Sequence, residues 1–320
     1  MLVKINRYYK YPDIKYQTPS SNMIWNDIVF TEENVEECDY LVILDYPKAD
    51  FSIKVNPNNI LHICLEPANE VSKYRQYANK KIAINFSQID AGRNSILSHG
   101  ALPWHLNRDY DFLSSLKVSE LMKEDKIVWI TSNQRSSKGH NKRMDFLDKL
   151  RNLPFVSLYG RGINEIKDKF DVLKSSKYAI AYENFKNDYY WTEKISDCFL
   201  SWTMPIYYGC NNIDLYFPKK SYIQLDPNDK HIHLYLKEVV KSNQWEKHID
   251  DIRTARQLVL EKYQLFPFIY NQIKSLESTK GAFSFTKKEN ISFKGEDFFY
   301  DNYPLNTCLG KKIATLKRKF

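Results

Sequence analysis

The stretch YAIAYENFKNDYYWTEK, residues 178–194, sets the reading of the whole chain. It starts as a short apolar run, turns polar at Glu183-Asn184, crosses a loop of Lys, Asn and Asp, and reaches Thr192-Glu193-Lys194. A short apolar run bounded by polar loop residues reads as a buried strand. Thr192 then suits the N-cap of a helix whose first turn carries Glu193 and Lys194. Backbone N–H groups exposed at such a helix start favour an anion. A lysine there runs against the helix field, which prefers acids in the first turn. Its presence makes sense if the anion comes from outside, as a nucleotide diphosphate does. Glu193 can accept hydrogen bonds from vicinal hydroxyls of a ribose or a hexose. The stretch therefore reads as a site for a sugar joined to phosphate, or else as an ordinary capped helix with a surface Glu–Lys pair.

Outward from this junction, short β-branched runs alternate with helical stretches. Strands are expected at 39–46, 59–66, 81–87, 126–133, 155–160, 177–184, 204–209 and 221–226. Helices are expected at 68–79, 142–151, 164–175, 192–201 and 232–241, with a long helix or helix pair over 244–275. Strand–helix alternation argues for parallel sheets covered on both faces. The pattern stops near residue 90 and restarts at Lys126, with SHGALPWHLNRDYDFLSSLKVSE as a connector. The expected fold is α/β with two Rossmann-like domains facing a cleft. The expected boundaries are 1–122 for an N-terminal domain with its connector, 123–275 for a C-terminal domain and 276–320 for a basic tail. Residues 1–58 offer nothing that can be placed.

Composition narrows the function classes. The chain has 320 residues, enough for two domains with real cores. Only nine residues are glycine, so a glycine-rich phosphate loop is not the main device. No run approaches the roughly 18 apolar residues that would span a bilayer, and the N-terminus shows no signal-peptide pattern. Five cysteines without a C-x-x-C pair argue against a disulfide framework or a zinc site. A cytoplasmic, reducing setting is expected, and the glycosylation patterns at Asn85 and Asn290 then carry no weight. The formal charge of +8 is compatible with nucleic acid, anionic lipid or a phosphorylated small molecule, or with a merely solvated surface. In the terminal LGKKIATLKRKF, Leu309, Ile313, Leu316 and Phe320 recur at helical spacing. That pattern fits peripheral association with the inner face of a membrane or a docked terminus.

The run from Lys167 to Asp226 resembles the donor-binding half of the α1,3/1,4-fucosyltransferases, glycosyltransferase family 10, in its bacterial members. The residues that carry the resemblance are Lys177-Tyr178, Tyr182-Glu183-Asn184, Tyr190, Thr192-Glu193-Lys194, Pro205-Ile206, Gly209, Phe217-Pro218 and Ser221-Tyr222-Ile223. Upstream, ITSNQRSSKGHNKRMDFLDKLRNLPFVSLYG resembles the family's serine/asparagine loop and arginine-bearing helix. That assigns Arg143 to the phosphate-binding arginine, with Arg135 and Lys138 as competing assignments. NILHICLEPANEVSKYRQYANKKIAINFS resembles the segment of the general-base glutamate. It assigns Glu66, with Glu70 one helical turn away as the alternative; a plain helix-start charge beside Pro67 is the structural reading of Glu66. Two departures stand out. Ser201-Trp202 occupies a place where many members have Ala-Gly, and Trp191 replaces a smaller residue.

The resemblance implies an inverting transferase of the GT-B type that moves L-fucose from GDP-fucose to a hydroxyl of an acceptor oligosaccharide. It implies an acceptor-side N-terminal domain and a donor-binding C-terminal domain. The acceptor it suggests is a GlcNAc- or glucose-containing saccharide of lipopolysaccharide or capsule, in α1,3 linkage. Another nucleotide-sugar donor is the alternative, because guanine and uracil are not distinguished by these residues. Glu66 would take the hydroxyl proton, partly desolvated so that its pKa nears working pH. Arg143 and Lys194 would meet the diphosphate. Glu183, Asn184, Thr192 and Glu193 would serve the donor, with Tyr190 lining the nucleotide pocket. No cofactor and no metal are expected.

Rival readings are weaker. Asp109-Tyr110-Asp111 fits the D-x-D pattern of a metal-bound diphosphate, but no strand precedes it. His231 and His233 lack a third ligand nearby. A glycoside hydrolase could pair Glu183 with Glu193, which leaves Arg143 and Lys194 idle. Nucleic acid is not expected as a partner, because no recognised binding signature is present.

Overall fold

The computed structural model describes residues 1–67, 81–90, 92, 94–135, 137–279, 287–295 and 298. Its strands are β1 (Leu2–Arg7), β2 (Ile24–Trp25), β3 (Ile28–Thr31), β4 (Tyr40–Leu44), β5 (Phe51–Val55), β6 (Ile60–Ile63) and β7 (Ile84–Ser87). They continue with β8 (Ser95–Leu97), β9 (Glu124–Ile130), β10 (Val156–Tyr159), β11 (Ser176–Tyr182), β12 (Met204–Tyr208), β13 (Ile223–Gln224) and β14 (Glu289–Phe293). The chain forms two compact units. Each contains its own parallel sheet, in keeping with the α/β class expected from strand–helix alternation.

In the C-terminal unit the sheet order is β10-β9-β11-β12-β13, with every pair parallel. β11 lies at the centre and is buried along almost its entire length. That explains its unbroken apolar run, since a central parallel strand faces protein on both sides. Helices Lys138–Leu150, Lys169–Leu173 and Glu193–Leu200 join successive strands, and Ile232–Lys241 follows β13. The core gathers Trp129, Phe146, Tyr178, Ile195, Phe199, Ile206 and Phe217. The segment expected as one long helix or a pair is broken into Gln244–Lys247, Ile249–Leu258, a π turn Val259–Tyr263 and Leu265–Thr279.

In the N-terminal unit, parallel strands run in the order β3-β1-β4-β6-β7-β8. Three of these strands, β1, β3 and β8, lie outside the runs expected from the sequence. The helix expected at 68–79, the alternative base Glu70 and the terminal pattern from Leu309 to Phe320 lie outside the described residues.

The units divide the chain differently from the expected boundaries at 122 and 275. Residues 12–25 and 101–279 group together, and residues 1–11 and 26–100 group with the chain beyond 280. Packing explains both shifts. Trp104, Leu106, Leu113 and Leu116 enter the C-terminal core, and Gln17 Nε2 donates to the Trp104 carbonyl at 3.0 Å. In the expected tail, β14 pairs antiparallel with β5 and stacks Phe293 on Phe51 with 5.1 Å between ring centroids. Phe293 is buried in the N-terminal core. Among the described residues no helix is long and apolar enough to cross a membrane.

Lys123 pins the edge of the C-terminal unit. Its ammonium donates to the carbonyls of Leu173 (3.0 Å), Ser176 (3.1 Å) and Ser201 (2.7 Å), and to Thr203 Oγ1 (2.9 Å). Burial pushes its pKa well below the ordinary lysine value. Lys123→Ala leaves those acceptors short of donors and should cost about 1–3 kcal/mol of stability. Urea denaturation measures the loss, and an unchanged midpoint would remove the cage from the account.

Candidate donor site

Strand order locates the site before any side chain does. From β9 the chain passes to β10 on one side and then to β11 on the other. Open parallel sheets hold ligands beyond the carboxyl ends of the strands at such a reversal. The two ends concerned are Thr131-Ser132 after β9 and Glu183-Asn184 after β11. Arg143 ties them together. One guanidinium nitrogen donates to Asn184 Oδ1 at 2.9 Å, and another to the Ser132 carbonyl at 2.9 Å.

Arg143 reaches this position from the helix Lys138–Leu150, whose N-cap Ser137 accepts from the His140 N–H. Gly139 in the first turn lets the helix come close. A Cβ on Gly139 would lie 1.8 Å from the Asn184 carbonyl oxygen, so no larger residue fits without displacing backbone. Arg143 is 4% exposed. Burial lowers its pKa to about 10, which leaves it cationic at neutral pH. Its Nε has no hydrogen-bond partner among the described residues. The competing cations differ. Arg135 is paired with Asp145 and Asp148 of the same helix, whereas Lys138 is exposed in the first turn.

The second helix start is built around Glu183, whose side chain is wholly buried. Glu183 Oε1 accepts from the Thr192 N–H at 2.8 Å and from the Thr192 hydroxyl at 2.7 Å. Its other oxygen accepts from Lys194 Nζ at 2.9 Å. Gly209 makes room for this carboxylate, since a Cβ there would come within 2.5 Å of Glu183 Cγ. Burial raises the Glu183 carboxyl above its ordinary value against the pull of Lys194. The sequence suggests a donor role for Glu183. In the structure its oxygens are held by Thr192 and Lys194. Tyr190 is also buried, its N–H held by Asn187 Oδ1 and its ring 5.5 Å from Phe185.

Glu193 points into a cluster that motif reading missed. Lys169 Nζ lies 3.6 Å from its carboxylate, His105 Nδ1 3.8 Å and Lys194 Nζ 3.9 Å. These contacts lie in ion-pair range but beyond hydrogen-bond length, so they fix the charge without occupying the oxygens' hydrogen-bonding directions. Asp197 completes the group by accepting from Lys169 Nζ at 2.8 Å and from the His105 N–H at 2.9 Å. Burial alone would raise the Glu193 carboxyl, yet Lys194, His105 and Lys169 hold it well below the ordinary range. Burial also lowers the His105 pKa. Lys194, read from sequence as a point charge for phosphate, is already shared between Glu183 and Glu193.

Glu66 follows β6 in the N-terminal unit and is exposed. The D-x-D carboxylates are engaged with backbone N–H groups. Asp109 caps the helix Tyr110–Ser115 through the Phe112 N–H, and Asp111 accepts from the Ser20 N–H. His231 and His233 are both exposed. Among the described residues no group of three or more His, Cys, Asp or Glu side chains is arranged to hold a metal.

The family profile described as glycosyltransferase family 10 (fucosyltransferase) C-term matches residues 121–255, which include β9 to β13 and both helix starts. The matched segment thus resembles the C-terminal part of glycosyltransferase family 10. Among similar proteins is a 4-galactosyl-N-acetylglucosaminide 3-alpha-L-fucosyltransferase 9 of Cricetulus griseus, 29% identical over 132 residues, or 39% of this chain and 36% of that protein. A GDP-fucose protein O-fucosyltransferase 3 of Danio rerio is 36% identical over 83 residues, or 25% of this chain and 18% of that one. The chain thus matches only about a third of the Cricetulus griseus relative's length (36%). A crystal structure of an α1,3-fucosyltransferase aligns with a TM-score of 0.46 at 15% identity, covering 83% of this chain and 91% of that one.

Glu193 gives the site a pH signature. A carboxylate held below its ordinary value adds stability that is fully present above its unfolded pKa, about 4.3, and is lost as pH falls toward the folded value. Wild-type unfolding free energy in urea should therefore fall more steeply below about pH 4.5 than that of Glu193→Gln. Parallel curves would mean that the neighbouring cations do not hold this carboxylate.

Proposed function

We propose that this protein transfers L-fucose from GDP-fucose to a hydroxyl of an acceptor saccharide, with inversion at the anomeric carbon. The observation that carries the reading is Arg143 bridging the β9 and β11 ends at the point where strand order reverses, inside the segment that matches family 10. The helix starts at Lys138 and Glu193 supply N–H groups beside those strand ends, and exposed Lys138 adds a cation. Arg143 stays charged despite burial and holds Asn184 in place for the donor. The Glu183–Lys194 pair keeps the Glu193 helix start in register. Glu193, ionised beside the ammonium groups of Lys169 and Lys194, accepts from sugar hydroxyls.

The chemistry needs a proton acceptor and a means of stabilising charge on the departing diphosphate. Glu66 takes the proton from the acceptor hydroxyl, and its desolvation comes from the bound acceptor itself. The diphosphate is neutralised by Arg143, Lys138 and helix N–H groups, so no divalent ion takes part. The similarity to a 4-galactosyl-N-acetylglucosaminide 3-alpha-L-fucosyltransferase of Cricetulus griseus supports a galactosyl-N-acetylglucosamine acceptor and α1,3 linkage. A saccharide of lipopolysaccharide or capsule is the setting we infer. Buried free thiols at Cys38, Cys198 and Cys210 support a cytoplasmic location.

Transfer from GDP-fucose to N-acetyllactosamine should proceed in EDTA. Arg143→Ala should lower turnover on the order of 10²-fold. Glu66→Gln should abolish transfer while leaving GDP affinity by calorimetry unchanged. Full activity in both variants, or turnover only with added magnesium or manganese, would overturn the mechanism.

A further inference from the structure

The N-terminal sheet has a reversal of its own. From β1 the chain passes to β3 on one side and then to β4 on the other. The register pairs Arg7 with Leu44, so the two strands end side by side as Tyr8-Tyr9 and Asp45-Tyr46. The aromatic rings gather there. Tyr8 lies 4.9 Å from Tyr46 between centroids and 4.5 Å from Tyr9, edge to face with the latter. Tyr9 keeps 55% of its surface in water, which core packing does not explain.

Glu66 is tied to the same place. Asp45 is buried and holds a left-handed backbone conformation at φ 58°, a strained state that concentrates at functional sites. Its Oδ1 accepts from the Leu65 N–H at 2.8 Å and the Glu66 N–H at 3.1 Å. The loop after β6 is thereby fastened to the residue that precedes Tyr46. His62 Nε2 meets the Asp45 carbonyl at 2.8 Å and braces that backbone from below.

The chemistry of this surface differs from that of the donor site. The nearby cations Arg7 and Lys10 both pair with Glu32, so the surface offers aromatic faces and a carboxylate rather than a cradle for phosphate. A ring with an apolar C–H face and hydroxyl edges fits that combination. We propose that Tyr8, Tyr9 and Tyr46 form the platform on which a neutral hexose of the acceptor stacks, presenting its hydroxyl toward Glu66. This rests on the transferase reading above and names the residues that select its acceptor.

The test uses the full chain with N-acetyllactosamine as probe, followed by saturation-transfer NMR and by initial rates with GDP-fucose. Tyr9→Ala and Tyr46→Ala should weaken saccharide binding and raise its KM about tenfold, while GDP affinity by calorimetry stays within twofold. Tyr9→Trp, which keeps an aromatic face, should restore binding. Wild-type affinity in both alanine variants overturns the platform, as does a wild-type protein that binds GDP-fucose but no saccharide. A protein that binds N-acetyllactosamine through Tyr9 but no GDP-fucose sustains the platform and overturns the donor reading.

Discussion

A single carboxylate without access to water, Glu183, joins the end of β11 to the start of the next helix. An isolated charge in that position would be prohibitively costly, so its oxygens must be satisfied by specific partners. Thr192 and Lys194 meet that need. The loop between them is therefore closed in one geometry, and the helix that follows presents Glu193 in a fixed direction. Gly139 and Gly209 extend the constraint to the neighbouring helix and strand, because both pack where a side chain would strike the Glu183-Asn184 corner.

The two units use one topological device for different chemistry. In both, a strand has its successors on opposite sides and leaves an opening at the carboxyl ends. The C-terminal opening is closed over by a buried guanidinium and flanked by two helix starts, a setting for a polyanion. At the N-terminal opening the cations pair with Glu32, and tyrosine rings come to the surface. Parallel topology brings the ends together, and the residues just past the last ladder partner decide what can be recognised there.

Much of the C-terminal unit was legible in the sequence. β9, β11 and β12 are buried on both faces, so their apolar runs are continuous, and Thr192 announced its helix by chemistry alone. The early strands were harder. β1 places Lys4 and Arg7 in buried positions, their heads satisfied by the Glu32 and Glu33 carbonyls and the Glu32 carboxylate. Those residues break the apolar pattern a buried strand normally shows. β14 reads as polar because only Phe293 of its five residues is buried. The His105–Lys169–Asp197 group joins residues up to 92 positions apart, and no local spacing could have announced it. Glu183 was found for the right junction, but its role depends on burial, which a motif does not reveal.

The pairing of β14 with β5 bears on the order in which the protein is made. A ribosome releases the first hundred residues long before it reaches Phe293, so the N-terminal sheet emerges lacking a side chain that fills its core. Residues 101–279, the bulk of the C-terminal unit, are synthesised during that interval and can settle first. The sheet translated earliest is therefore completed last, when Phe293 reaches the core beside β5.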